Sequence, residues 1–153
     1  MILLLLPAGR LDLFHENYST LSMNVGGRLY LLAVCLSAAV LLYLETRHIG
    51  AGYALITAAA TAFSTLIPHH VPYDIQGNLH LFLAYACSFV IVASTYRGLF
   101  VTGMKKAADV FTLLLMVVPV SYMRHMMVTL FAETVMVWAV LIFNLLIFLR
   151  TSG

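Results

Sequence analysis

The sequence predicts an all-α, polytopic transmembrane helix bundle of about five spans, preceded by a short interfacial N-terminal segment. Three observations carry this expectation. First, the chain is 63% hydrophobic and only 9% charged, whereas a soluble domain carries roughly 25% charged residues. That deficit leaves too little polar surface for water, so lipid is the expected solvent. Second, the apolar residues fall into runs close to the ~20 residues a helix needs to cross a bilayer. Third, the breaks between the runs collect most of the basic residues and histidines. A chain of 153 residues is then filled by one integral membrane domain, residues 1–153, with no room for a separate soluble one.

Residues 1–14 begin with an apolar run, Ile2 to Leu6, that Pro7 stops. The run is too short to span, so it is expected to lie in the interface with Arg10 and Asp12 among the headgroups. The first span is expected at about 28–44, after Gly26 and Gly27, with Glu45, Arg47 and His48 forming a turn. The second, about 49–67, places Ala54, Ala58 and Ala62 on one face, where small residues let a neighbouring backbone approach. A polar break follows, Leu66 to His80 (LIPHHVPYDIQGNLH), holding three of the six histidines, an acid and two prolines. The third span, about 79–101, aligns His80, Ala84, Cys87 and Ile91 along one face at steps of three or four. The fourth, about 107–123, contains Pro119, which removes a backbone hydrogen bond and should kink its end. The fifth, about 126–149, closes at Arg150. Cys35 and Cys87 each lie inside an apolar run without a Cys-x-x-Cys pattern, and read as small packing residues.

Five spans put Arg47, Arg97, Lys105, Lys106 and Arg150 on one side and Arg10, Arg28 and Arg124 on the other. Basic residues favour the cytoplasm, so the expected topology has the N-terminus outside and the C-terminus inside a cell membrane. The same alternation gathers His15, His69, His70, His80 and His125 on the outer face with Glu16 and Asp74, leaving only His48 opposite. The net charge of +2 comes from few ionisable groups. It offers no basic patch for nucleic acid, and no Gly-rich phosphate loop is present.

Glu133 is the one acid placed well inside an expected span, about 10 Å below the start of the fifth. A bare carboxylate there costs on the order of 3 kcal/mol, so it should face the bundle, be protonated or be paired. Thr129, Glu133 and Asn144 fall on nearly one face, an inward polar stripe. His80 opens the third span and could meet Glu133; the alternative is an interfacial histidine bonded to a loop carbonyl. His69, His70, Asp74, His80 and His125 together supply enough nitrogen and oxygen ligands for zinc or another divalent metal, although their spacing matches no metal motif and an ordinary solvated loop explains them better. Ser22 could serve as a nucleophile beside His80 or His125, or simply cap the first span. His80 and His125 could also act as axial haem ligands from two spans.

Tyr18, Ser19, Leu21 and Ser22 precede a span; Pro68 ends the next; Gly77, Leu79, His80 and Ala84 open another; Glu133 and Trp138 follow late. This order resembles a family of small bacterial and archaeal multi-span membrane proteins of unknown function, most with six spans. The resemblance marks Ser22, His80 and Glu133 as characteristic positions, and the chain departs from it in lacking a full first span. More distantly, Glu16, Asn17, Ser64, His69 and Asp74 resemble the polar set of membrane hydrolases of the alkaline ceramidase and progestin-receptor group.

Two function classes follow. One is a non-catalytic membrane module: a sensor, an immunity or assembly factor, or a small-ligand binder. The other is a metal-assisted hydrolase acting on a lipid or amphiphile, with Glu133, His80 and Ser22 as candidate catalytic residues. Membrane lipid is the expected partner, with a second copy or another membrane protein as further candidates.

Overall fold

A computed structural model describes residues 26–33, 35–37, 39–40, 43–44, 47 and 74–152. Between Gly26 and Arg47 every described residue is helical, Arg47 included, where a turn was expected at 45–48. The second span, the interfacial segment and most of the polar break lie outside the described residues.

From Asp74 onward the chain is almost entirely helical: α1 (Ile75–Val101), α2 (Lys105–Leu115), α3 (Val117–His125) and α4 (Leu130–Ser152). Among the described residues, three stretches are long and apolar enough to cross a membrane: Ile75–Val101, Lys105–His125, which joins α2 to α3, and Leu130–Ser152. Such helices satisfy their own backbone hydrogen bonds, the condition for lying in hydrocarbon. They run up, down and up, so α1 and α4 are parallel and share both ends.

Each boundary has a local cause. α1 starts at Ile75, four residues before the expected position, because Asp74 caps it: its Oδ1 accepts the Gly77 N–H at 2.6 Å, and its carbonyl accepts the Asn78 N–H at 3.0 Å. The α1–α2 turn closes when the Met104 N–H reaches the Leu99 carbonyl at 2.8 Å. Gly103 sits at its tip at φ +72°, a conformation costly for any residue with a Cβ.

The break between α2 and α3 falls at Met116. Pro119 is its cause. A proline has no N–H for the carbonyl four residues back and its ring crowds that carbonyl, which here belongs to Leu115, the last residue of α2. The Met116 N–H bends between the Thr112 and Leu113 carbonyls at 3.2 and 3.3 Å. The helix is therefore interrupted at Met116, near the middle of the Lys105–His125 stretch and not at its end as expected.

α3 ends at Met126, in the left-handed conformation at φ 55°. The last helix then begins at Leu130, not at 126 as its apolar run suggested. A closed hydroxyl network sets this start. Ser121 Oγ donates to the Met127 carbonyl at 3.2 Å and accepts the Thr129 N–H at 3.0 Å. Thr129 Oγ1 lies 3.0 Å from Ser121 Oγ and accepts the Ala132 N–H at 3.4 Å, so Thr129 is the N-cap of α4. Both hydroxyls are buried and both are satisfied.

The packed core lies toward the Gly103 end. Leu99, Ala108, Phe111, Ala139, Val140, Phe143 and Ile147 form it, with Tyr96 and Met104 packed against it. Phe111 stands edge-on to Tyr96 and tilted on Phe143, each at a ring-centre distance of 5.1 Å. Lipid gives such helices no hydrophobic reason to associate, so close packing and interhelical hydrogen bonds must hold them. One such bond crosses the core: Asn144 Nδ2 donates to Thr95 Oγ1 at 2.8 Å. The outward faces carry large exposed apolar side chains along all three of these stretches, among them Phe82, Phe89, Leu113 and Leu149, in keeping with helices able to cross a membrane.

Candidate functional site

At the end of the bundle opposite Gly103, the start of α1, the end of α3 and the start of α4 come together. This topology places Asp74, His80, Arg124, His125 and Glu133 at one end. Ser22, His69 and His70 lie outside the described residues, as do Glu16, Asn17 and Ser64.

His80 sits in the second turn of α1 and is 5% exposed. It belongs to a buried stripe that starts at Gly77 and continues through Cys87, Thr95 and Gly98, with Ala84 and Ile91 half-buried along it. This is the face expected from the spacing of His80, Ala84, Cys87 and Ile91. Its continuation to Thr95 follows from the same three- and four-residue steps, and that extension would have found the partner of Asn144.

Glu133 is half-buried in the first turn of α4. Because that helix starts at Leu130, Glu133 lies about 4–5 Å inside it, not the ~10 Å expected from a start at Met126. The correction changes its energetics. A carboxylate in a first turn faces the positive end of the helix dipole, a favourable term of roughly 0.3–1 kcal/mol. The inward polar stripe is present: Thr129 and Asn144 are buried and Glu133 lies between them.

The Thr95–Asn144 bond provides a ruler between the two parallel helices. His80 precedes Thr95 by 15 positions and Glu133 precedes Asn144 by 11, which at ~1.5 Å per residue puts them about 22 and 16 Å from that bond. His80 and Glu133 are therefore offset along the bundle by about one helical turn. Around its helix, Glu133 lies only about 20° from Asn144, and His80 about 60° from Thr95. The acid thus sits on the side of α4 that meets α1.

Other polar groups at this end have structural roles. Asp74 is the α1 cap. Ser121 and Thr129 set the turn. Arg124 is exposed and His125 half-buried at the α3 C-terminus, where positive charge complements the helix dipole. Among the described residues no three of His, Cys, Asp and Glu gather as metal ligands. Asp74, His80 and His125 share an end of the bundle without forming a coordination cluster there. No protein-family model, curated protein or solved structure matches this chain significantly.

Proposed function

We propose that this chain is a non-catalytic integral membrane protein of five spans, with its N-terminus outside and its C-terminus in the cytoplasm, that binds a small polar ligand at its outer end through Glu133 and His80. The observation that carries this reading is the placement of an acid and a buried imidazole about one helical turn apart, on two parallel helices that meet. An acid and an imidazole at the mouth of an apolar bundle offer a hydrogen-bond acceptor and a group able to donate or accept. Their low-dielectric walls strengthen contacts to a polar guest. The distribution of cations supports the orientation: Arg97, Lys105, Lys106 and Arg150 lie at the Gly103 end, Arg124 at the Glu133 end.

Thermal unfolding of the detergent-purified chain against small amines, carboxylates and divalent metal salts tests the binding claim. At least one compound should stabilise the wild type, with the shift lost in both Glu133→Gln and His80→Gln. A panel that stabilises the variants as well as the wild type removes the site. Stoichiometric zinc in protein purified without a histidine tag would replace this reading with a metal-assisted hydrolase. Reporter fusions after Gly103 and after Gly153 should both give cytoplasmic signals, and an external signal at either refutes the orientation.

A further inference from the structure

We propose that the Gly103 end of the bundle binds the headgroup phosphate of an anionic phospholipid, with Lys105, Lys106 and Arg150 as the contacting cations. The carrying observation is their juxtaposition by tertiary structure. The α1–α2 turn is folded back by the Met104 N–H bond to the Leu99 carbonyl. Met104 packs on the core cluster that contains Ile147 of α4. Lys105 and Lys106 follow Met104 directly, and Arg150 stands one helical turn beyond Ile147. Residues 45 positions apart in sequence are thereby held in one layer at one end of the bundle.

All three side chains are exposed. Arg97, exposed near the end of α1, adds positive charge to the same end, and Asp109, exposed one turn along α2 from Lys105, tempers it. Lysine and arginine side chains near a helix end carry long apolar stems and extend their charge to the headgroup layer.

The surface below the cations selects a lipid over a soluble phosphate. Phe100, Val101, Val110, Leu113 and Leu149 are exposed apolar residues on α1, α2 and α4 within about two turns of this end. A lipid whose phosphate meets the cations would lay its acyl chains on that belt. A free phosphate would gain only the charge. Basic clusters at the cytoplasmic ends of transmembrane helices recognise anionic headgroups through this combination.

The test uses the full chain in a neutral detergent, titrated with phosphatidylglycerol, phosphatidylcholine or glycerol 3-phosphate and followed by native mass spectrometry and thermal unfolding. Phosphatidylglycerol should bind and stabilise, phosphatidylcholine should do so at least tenfold more weakly, and raising salt should weaken only the former. A cation at an anionic surface is worth about fivefold in affinity, so the triple variant Lys105→Gln, Lys106→Gln, Arg150→Gln should bind about 100-fold more weakly. Arg124→Gln, at the other end, should stay within twofold of wild type. Equal binding of the two lipids, salt-independent binding of phosphatidylglycerol, an unchanged triple variant, or a loss in Arg124→Gln equal to the triple variant's would each overturn the proposal. Competition by glycerol 3-phosphate at concentrations equal to the lipid would overturn the lipid assignment. The wild-type salt titration needs no variant to fold.

Discussion

Thr95→Val and Asn144→Leu should affect stability unequally, and together should cost less than Thr95→Val alone. Both residues are buried, Asn144 to 1% exposure. The Asn144 amide nitrogen uses its two protons on Thr95 Oγ1 and on the Val140 carbonyl, each at 2.8 Å. Its oxygen, Oδ1, is buried without a hydrogen-bond partner. Thr95→Val keeps the shape but strands one amide proton in an apolar interface. The loss should be about 0.6–1.7 kcal/mol, between the mean and the maximum measured for interhelical bonds in a membrane bundle. Asn144→Leu removes donor and orphan acceptor together, while the Thr95 hydroxyl keeps its bond to the Ile91 carbonyl at 3.0 Å. Its cost should be near zero, because deleting an unpaired buried carbonyl returns its desolvation penalty. The two changes should therefore be coupled by about 1 kcal/mol. Reversible unfolding in mixed micelles, run as a double-mutant cycle, measures this. Additivity within ~0.3 kcal/mol, or a larger cost for Asn144→Leu than for Thr95→Val, would refute both the hydrogen bond and the assignment of the orphan oxygen.

Asp74→Asn should keep α1 stable while Asp74→Ala loses about 1 kcal/mol, since asparagine also caps helices; equal losses by circular-dichroism melts would point to a role for the charge itself. Gly103→Ala should cost about 1 kcal/mol from backbone strain alone, because at φ +72° no neighbouring atom lies within 4 Å of an added Cβ; a melting temperature unchanged from wild type would contradict the turn geometry. Glu133→Gln should be milder for folding than Glu133→Ala, since the amide retains hydrogen bonds without the charge, and a cycle of Glu133→Gln with His80→Ala should be non-additive if the two act as one site.

The polar stripe of α4 was legible because helical periodicity alone places Thr129, Glu133 and Asn144 together, and lipid leaves a buried polar stripe few other places to go. The depth of Glu133 was not. The residues Met126–Val128 are as apolar as the span they precede, so hydropathy runs straight through them. Only the Ser121–Thr129 network, which closes across eight positions, ends one helix and caps the next. Asp74 shows the converse. It stands in a stretch rich in histidine and proline, and reads from sequence as a loop ligand. Its spacing to Gly77 is that of an N-cap, and the cap explains the early start of α1 without any metal.

What the sequence by itself determined is the class: helices long and apolar enough to cross a membrane, the approximate positions of those among the described residues, and the interruption ahead of Pro119. Those properties are local, because each helix satisfies its own backbone bonds and a proline disrupts the carbonyl four residues behind it whatever surrounds it. The tertiary structure alone decided which polar groups meet. Asn144 finds Thr95 across 49 positions, Lys105 and Arg150 come to one end of the bundle because Met104 packs on the core cluster that α4 shares, and His80 and Glu133 come to the other because α1 and α4 run parallel. Pairings of that kind depend on packing between helices, and in lipid the hydrophobic pattern carries little information about which helix faces which.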